Sequence, residues 1–405
     1  MQGHDELPTL STGEQIKLLR TRAGMTRAVL AGLVGKSSDW VKSVETGRIM
    51  PPRLTMLGQI ARALQVPVQA LITADEQIVL APGTAHTALP TVRDALNRWP
   101  LAPTEPVPSL EHIAARLAVA WRARHASPDH RTVIGALLPD LIRDTQLAAR
   151  VHAGADRNRA QALLADVLGL SQMFLAYQPA GDMLWRVVDR AMLAAQESGD
   201  PLALAQAAWF AIEAHRDAGD WDTAQNLNGD ILDTLRPHLP DASPDLLAMY
   251  GALHAAAAFT AARAGRSGTA WRSWDEADRV VRVLPDGYYQ RATSFSKPVM
   301  IAHAVTLEVE LQKGGQAVRM ATTAQADAIP SRPRRARHLI EVARGHHLGR
   351  EHEATLGTLN RAYDSAPETI RFNRYARQMA ADLLAGPPAL RRRAADLAVK
   401  VGLTG

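Results

Sequence analysis

Nine basic side chains between Ser11 and Asp75 (Lys17, Arg20, Arg22, Arg27, Lys36, Lys42, Arg48, Arg53 and Arg62) are set against four acidic ones, Glu14, Asp39, Glu45 and Asp75. The surplus of +5 equals the net charge of the whole 405-residue chain, so the remainder is electrically balanced. Guanidinium and ammonium groups gathered this way form the footprint of a phosphate-binding face. Bond-making chemistry, by contrast, has no visible machinery. There is no cysteine, which excludes disulfides, zinc–thiolate sites and thiol catalysis. His346 and His347 with His352 lack the i, i+4 pair and carboxylate of a helical zinc motif. No phosphate-cradling GxxxxGK(S/T), no GxGxxG after a strand and no GxSxG elbow occurs, so neither an enzyme activity nor a metal or cofactor is expected.

Those charges need elements to position them. From Met25 to Arg48 the chain reads as two short helices and a tight turn. Thr26 is a suitable N-cap, and Leu30, Leu33 and Val34 give the first helix an apolar face. Gly35 ends it in the left-handed backbone that glycine tolerates. Ser37 caps the second helix, with Val41 and Val44 inward and Gly47 as the stop. A helix–turn–helix of this kind lays its second helix in the DNA major groove. Upstream, Thr12 is expected to cap a helix with Ile16 and Leu19 inward, ending near Gly24. Downstream, Pro51-Pro52 breaks the chain, and Leu54, Leu57, Ile60, Ala61 and Leu64 mark a fourth helix. A short fifth helix is expected over residues 66–71, completing one small core.

Residues 13–73 resemble the phage-repressor/Cro-type (XRE) helix-turn-helix domain. Ile16 to Arg20, Thr26-Arg27, Leu30-Ala31, Gly35, Ser37, Val41, Glu45, Gly47, Pro51-Pro52 and Leu57 to Leu64 carry the likeness. It implies a five-helix unit over residues 11–75 that binds double-stranded DNA. It also implies that Arg20 pairs with Glu45, a structural role that suits a partly buried carboxylate beside a bidentate donor. Ser38, Asp39, Lys42 and Ser43, with Ser37 at their head, fall where the family touches base edges. Serine serves donor or acceptor bases, lysine suits guanine and aspartate accepts from the cytosine amino group. Arg27 stands where the family commonly has glutamine, and is expected on a phosphate, as are Arg48 and Arg53. Trp40 either lies on the sugar–phosphate backbone or packs under the preceding helix.

Residues 76–108 carry Pro82, Pro90, Pro100, Pro103, Pro106 and Pro108, a semi-rigid linker in which residues 91–99 alone can be helical. Residues 109–405 are alanine-rich, with helical patterning and no alternating β runs, so the class is all-α. Gly219, Gly265, Gly314, Gly349 and Gly386 recur at intervals of 46, 49, 35 and 37. Such spacing brackets the ~34–45-residue periods of helix-pair solenoids. It resembles the tetratricopeptide (TPR) repeat, with Ala207-Ala208-Trp209, Gly219-Asp220-Trp221 and Ala224 as the best copy; a generic helical bundle is the alternative. Residues 109 to about 199 read as atypical leading repeats or a capping bundle. TPR solenoids offer a concave surface lined by the first helix of each pair. Its candidate ligand-binding residues are Gln206, Trp209, Glu213, Arg216, Phe259, Arg263, Glu308, His346 and His347. The arginine groups Arg332/Arg334/Arg335/Arg337 and Arg391-Arg392-Arg393 read as solvated helix starts and faces, with binding of an acidic partner as the alternative.

Together these features describe a bacterial-type transcription regulator with a DNA-reading head and a helical-repeat domain that senses a ligand. A homodimer is expected, because one recognition helix contacts too few base pairs for useful specificity. The pairing of modules resembles the peptide-responsive quorum-sensing regulators, which implies a signalling peptide first and a small molecule second. A DNA-tethered scaffold that recruits a protein partner is the alternative. With neither a signal-peptide pattern nor an apolar run of about 18 residues, no membrane association is expected and the cytoplasm is the expected compartment.

Overall fold

The computed structural model describes residues 11–49, 54–64, 66, 71, 85–99 and 106–403, without the side chains of residues 54 and 55. Two compact units, Met1–Ala81 and Pro82–Gly405, make up the chain.

In the first unit, α1 (Thr12–Arg22), α2 (Arg27–Leu33), α3 (Ser38–Glu45) and α4 (Leu54–Leu64) share one core of Ile16, Leu30, Val34, Val41, Val44, Leu57, Ile60, Leu64 and Leu71. Thr26 Oγ1 accepts from the Val29 amide at 3.2 Å and Ser37 Oγ from the Trp40 amide at 3.1 Å, fixing the starts of α2 and α3 as their sequences predict. At α1 the cap is Ser11 instead of Thr12, in a capping box with Glu14. Thr12 is thereby released for a longer-range bond: its buried hydroxyl donates to the Leu71 carbonyl at 2.6 Å. Leu33 also departs from expectation. It is 60% exposed, because the two-turn α2 buries Leu30 and Ala31 and the post-helical Val34 completes that face. Pro51-Pro52, Arg53, the Leu54 side chain and most of the expected helix over 66–71 lie outside the described residues.

Gly13 sets the approach of α1 to α3. A Cβ there would stand 2.2 Å from the Val44 carbonyl oxygen, and backbone cannot step aside as a flexible side chain can. Gly13→Ala is therefore expected to cost about 1–3 kcal/mol. Hydrogen exchange should show faster exchange over residues 11–49 with the second unit unchanged; unaltered protection in both would refute the contact.

In the second unit, α5 (Leu89–Asn97) arises from the proline-rich stretch. Its Leu89, Val92 and Leu96 are buried in the same core as Trp121, Leu138 and Phe174, so this part of the expected linker is packed structure. Helices then alternate between two rows. The inner row is α6 (Leu110–Ala126), α8 (Gly154–Leu175), α10 (Pro201–Ala218), α12 (Pro244–Arg263), α14 (Lys297–Glu310) and α16 (Arg332–Leu348). The outer row is α7 (His130–Val151), α9 (Gly181–Ser198), α11 (Trp221–Leu235), α13 (Ser267–Val283), α15 (Gly314–Ala321) and α17 (His352–Ser365). Each inner helix packs on its chain neighbours and on the next inner helix, the connectivity of a helical-repeat solenoid. Alanine makes this close stacking possible: Ala248, Ala252, Ala255, Ala256, Ala258, Ala261 and Ala262 of α12 are all buried. Among the described residues the chain has no strand, and no helix long and apolar enough to cross a membrane.

The inner row does not stay open, because α16 also packs against α6 and its two ends meet. Beside that junction lies α18 (Pro367–Arg371), whose Glu368 accepts from the Thr132 hydroxyl at 2.7 Å and the Arg131 amide at 2.5 Å, both at the head of α7. Beyond it, α19 (Arg374–Leu384) and α20 (Pro388–Lys400) pack on α17. The turn glycines serve unevenly. Gly219 and Gly265 adopt left-handed φ values of 87° and 76°, whereas near Gly314 and Gly349 that conformation falls to Gln312 and Arg350. The repeat signal is thus displaced by one or two residues in the later turns.

Candidate nucleic-acid interface and interior charge network

α3 buries Val41, Val44 and Glu45 and leaves its opposite face free. Ser37, Ser38, Asp39, Lys42 and, past the helix end, Arg48 are exposed, while Trp40 and Ser43 are half-buried. The Lys36 ammonium stands 5.3 Å from the centre of the Trp40 ring, a cation–π contact between the turn and the first turn of α3.

One carboxylate anchors this arrangement. Glu45, 3% exposed, accepts from Arg20 Nε, from Arg20 Nη2 at 3.2 Å and from Arg27 Nε at 2.7 Å. Arg20 Nη1 also donates to the Met25 carbonyl at 2.6 Å, so α1, α2 and α3 converge on one ion cluster. Burial pushes the Glu45 carboxyl up, but the bonds and charges of Arg20 and Arg27 outweigh it and hold the pKa below the usual range. The Arg20–Glu45 pair is the one the sequence likeness implies. Arg27 differs: its Nε turns inward to Glu45, and the side chain remains about one-third exposed. Arg53 lies outside the described residues.

The inner row of the second unit carries a charge network where a solenoid core would be expected to be apolar. Arg263 Nη1 donates to Asp217 at 2.8 Å, and its Nε lies 3.6 Å from Glu310. Arg344 Nη1 donates to Glu310 at 2.9 Å and to Glu341 at 2.6 Å, and Arg337 pairs with Glu341 at 2.9 Å. The guanidiniums of Arg216 and Arg263 sit 4.1 and 4.6 Å from the centre of the Phe259 ring, with Arg216 also paired to Glu213. Burial opposes ionisation of Glu310, yet Arg344 and Arg263 pull its carboxyl down to about 2. Tyr375 shows the same contest: burial pushes its hydroxyl up, and Arg374, Arg263 and Arg344 bring it down to about 7.

Four of the sequence candidates, Glu213, Arg216, Phe259 and Arg263, therefore meet in one network. The others do not join it. Gln206 donates to Asp166 at 2.7 Å, in a group that includes Trp121 Nε1 at 2.9 Å. Trp209 packs against three core clusters, edge-on to Phe210 at 5.1 Å, as a packing residue. Glu308 is 2% exposed, its carboxyl raised by burial, with Lys313 Nζ 3.8 Å away. His346 and His347 lie in the last turn of α16, paired with Glu351 and Asp382. Sequence reasoning missed Asp217, Glu310, Arg337, Glu341, Arg344 and Tyr375. It also misplaced one arginine group. Arg332 Nε holds the Ser365 carbonyl at 2.8 Å, Arg335 Nη2 the Ile329 carbonyl at 2.9 Å, and Arg337 is tied to Glu341. Arg391, Arg392 and Arg393 are exposed. Among the described residues, no group of three metal-ligating side chains could hold a metal ion.

The fold and the site define a two-unit, all-helical protein with a helix-turn-helix head and a helical-repeat body. Residues 12–73 match the family described as a helix-turn-helix domain. Two solved structures align with the chain. Bacillus thuringiensis PlcR in complex with the peptide PapR7 and DNA aligns at 12% identity and a TM-score of 0.29, covering 87% of this chain and 100% of that one. A PrgX single-substitution mutant aligns at 7% identity and a TM-score of 0.33, covering 84% and 96%. No curated protein matches the sequence.

Proposed function

We propose that the chain is a sequence-specific DNA-binding transcription regulator, working as a homodimer whose DNA affinity responds to a ligand in the second unit. The observation that carries this reading is the two-sidedness of α3. Its inner face is locked by Glu45, and Ser38, Asp39 and Lys42 project from a unit whose sequence holds all the surplus positive charge. In this reading Lys42 addresses guanine, Ser38, Asp39 and Ser43 complete the base contacts, Ser37 sits at the groove edge, and Arg48, Arg53 and the outer edge of Arg27 meet phosphates. Trp40 flanks them on the backbone side. Two-fold pairing would double the base pairs read. In the second unit, Glu213, Arg216, Phe259 and Arg263 present charge beside an aromatic face, which suits a ligand with polar groups such as a short peptide or a small polar molecule. Its binding would act by shifting populations between states that hold the two heads differently. A DNA-binding role places the protein in the cytoplasm of a bacterial-type cell.

Selection from randomised duplexes followed by gel shift tests the DNA assignment. Lys42→Ala with Ser43→Ala should lose about 1–3 kcal/mol of preference for the selected site. Arg48→Ala should weaken binding to every duplex and reduce the salt slope by about 1. If both variants select and bind as the parent does, the contact assignment is wrong.

A further inference from the structure

The junction where α16 meets α6 is electrostatically unbalanced. Arg124 lies in the last turns of α6 and Arg334 in the first turn of α16. Between the two helices, His125 Nδ1 is 2.9 Å from the Ser331 hydroxyl and its Nε2 is 2.8 Å from the Arg291 carbonyl. A carbonyl accepts only, so Nε2 carries the proton, Nδ1 accepts from Ser331 and the ring is neutral. Burial and the adjacent Arg124 hold this histidine down at about 3. Tyr289 packs edge-on against His125 at 5.4 Å, and Arg334 Nη2 lies 3.4 Å from His303 Nδ1. Burial, with Arg334 and Arg216 beside it, keeps His303 neutral too.

Among the described residues, neither Arg124 nor Arg334 has a carboxylate within ion-pair distance, and the Nε of each is buried without a hydrogen-bond partner. Arg124 is left with the Met173 sulfur at 3.3 Å and His125 Nδ1 at 3.5 Å. The carboxylates whose field reaches Arg334 are already engaged, Glu213 by Arg216 and Glu341 by Arg337 and Arg344. Arg124 and Arg334 also repel each other, and burial with that repulsion lowers the Arg124 pKa to about 10. Two like charges lacking a counter-charge in a low-dielectric setting are costly, and they persist where an anion completes the site. Both residues keep some exposure overall, but each Nε is closed to solvent, so an anion reaches the two Nε–H edges only when the seam between the helices loosens.

We propose that this seam is an oxyanion-binding site, in which a carboxylate or phosphate group of a small ligand lies between Arg124 and Arg334 and accepts from their free Nε–H edges. The proposal rests on the reading of the second unit as a ligand sensor and names the chemistry its ligand must carry. Planar guanidiniums fit such oxyanions through paired N–H donors. A bound anion would turn repulsion between the first and last inner helices into attraction, so occupancy would tighten the closure of the ring.

The test uses the full chain without DNA, with inorganic phosphate, succinate and chloride compared at matched ionic strength by thermal unfolding and calorimetry. Phosphate or succinate should give a saturable upward shift that chloride does not, and the larger response identifies the preferred group. Arg124→Gln and Arg334→Gln should melt at or above the parent in chloride, because a buried repulsion is gone, and should bind the anion at least tenfold more weakly. Arg334→Lys, which keeps the charge and loses the fork, should fall between. Equal responses to all three salts, or undiminished anion binding in both Gln variants, would overturn the proposal. Binding of all variants to DNA, followed separately by gel shift, reports on the head alone and so separates this failure from failure of the regulator reading.

Discussion

Glu45→Ala is expected to unfold the first unit and abolish DNA binding while the second unit stays folded. The substitution removes the single acceptor shared by Arg20 Nε and Nη2 and Arg27 Nε, leaving the nine-tenths buried Arg20 guanidinium without its counter-charge. Breaking a buried pair from one side costs about 3–5 kcal/mol. A domain of this size has only about 3–10 kcal/mol in total, so the change takes most of it. Amide exchange over residues 11–64 should approach unprotected rates while α6–α17 retain protection; parent-like protection over α1–α3 would sink the claim. The pH response has a definite sign. The native Glu45 carboxyl sits below its unfolded value, so its contribution is complete above the ordinary carboxylate range and is lost as pH falls through the native value. Glu45→Gln should remove that part of the acid sensitivity of the first unit.

The second large effect lies in the body. Glu310→Ala leaves Arg263 and Arg344 facing each other across the gap it vacates, and about 3–5 kcal/mol should be lost from the second unit. With its carboxyl at about 2, Glu310 stabilises fully above pH about 4.5, and the effect declines as pH falls toward about 2. Thermal unfolding at neutral pH should show the loss. The double variant Glu310→Ala with Arg344→Ala should be less destabilised than the sum of its parts, since the two share one interaction. Strict additivity, or an unchanged midpoint for Glu310→Ala, would mean the network does not hold the inner row together.

The two units differ in how much their sequences disclose, and the difference is one of range. The caps at Thr26 and Ser37 and the turn at Gly35 are set by neighbours within four residues, so local chemistry foretells them. Thr12 departs from its local pattern because its partner, the Leu71 carbonyl, is 59 residues away, while Ser11 and Thr12 look equally fit as caps. Arg27 could not be placed by spacing alone, because Glu45 accepts from two arginines and only the α2–α3 packing brings the second within reach. In the body, Arg334, Arg337, Glu341 and Arg344 fall at i, i+3, i+7 and i+10, a single face of α16. The period was visible, but a face of charges reads as solvated unless the chain is known to curl round and enclose it. That curl comes from contacts such as His125 with Ser331, 206 residues apart, to which no local pattern points.

An open solenoid can fray from either end, since each repeat leans only on its neighbours. Here the last inner helix is fastened to the first, so its ends have no independent freedom to peel. Loop-closure entropy over more than two hundred residues must be met before those contacts form, which makes folding of the body slow. It also ties the finished ring together: trimming the chain back past Glu368 would release the head of α7 as surely as it removes α18, and trimming on past Ser331 would free α6 as well, so proteolysis from the C-terminal side should cause concerted collapse in place of a ladder of shortened intermediates.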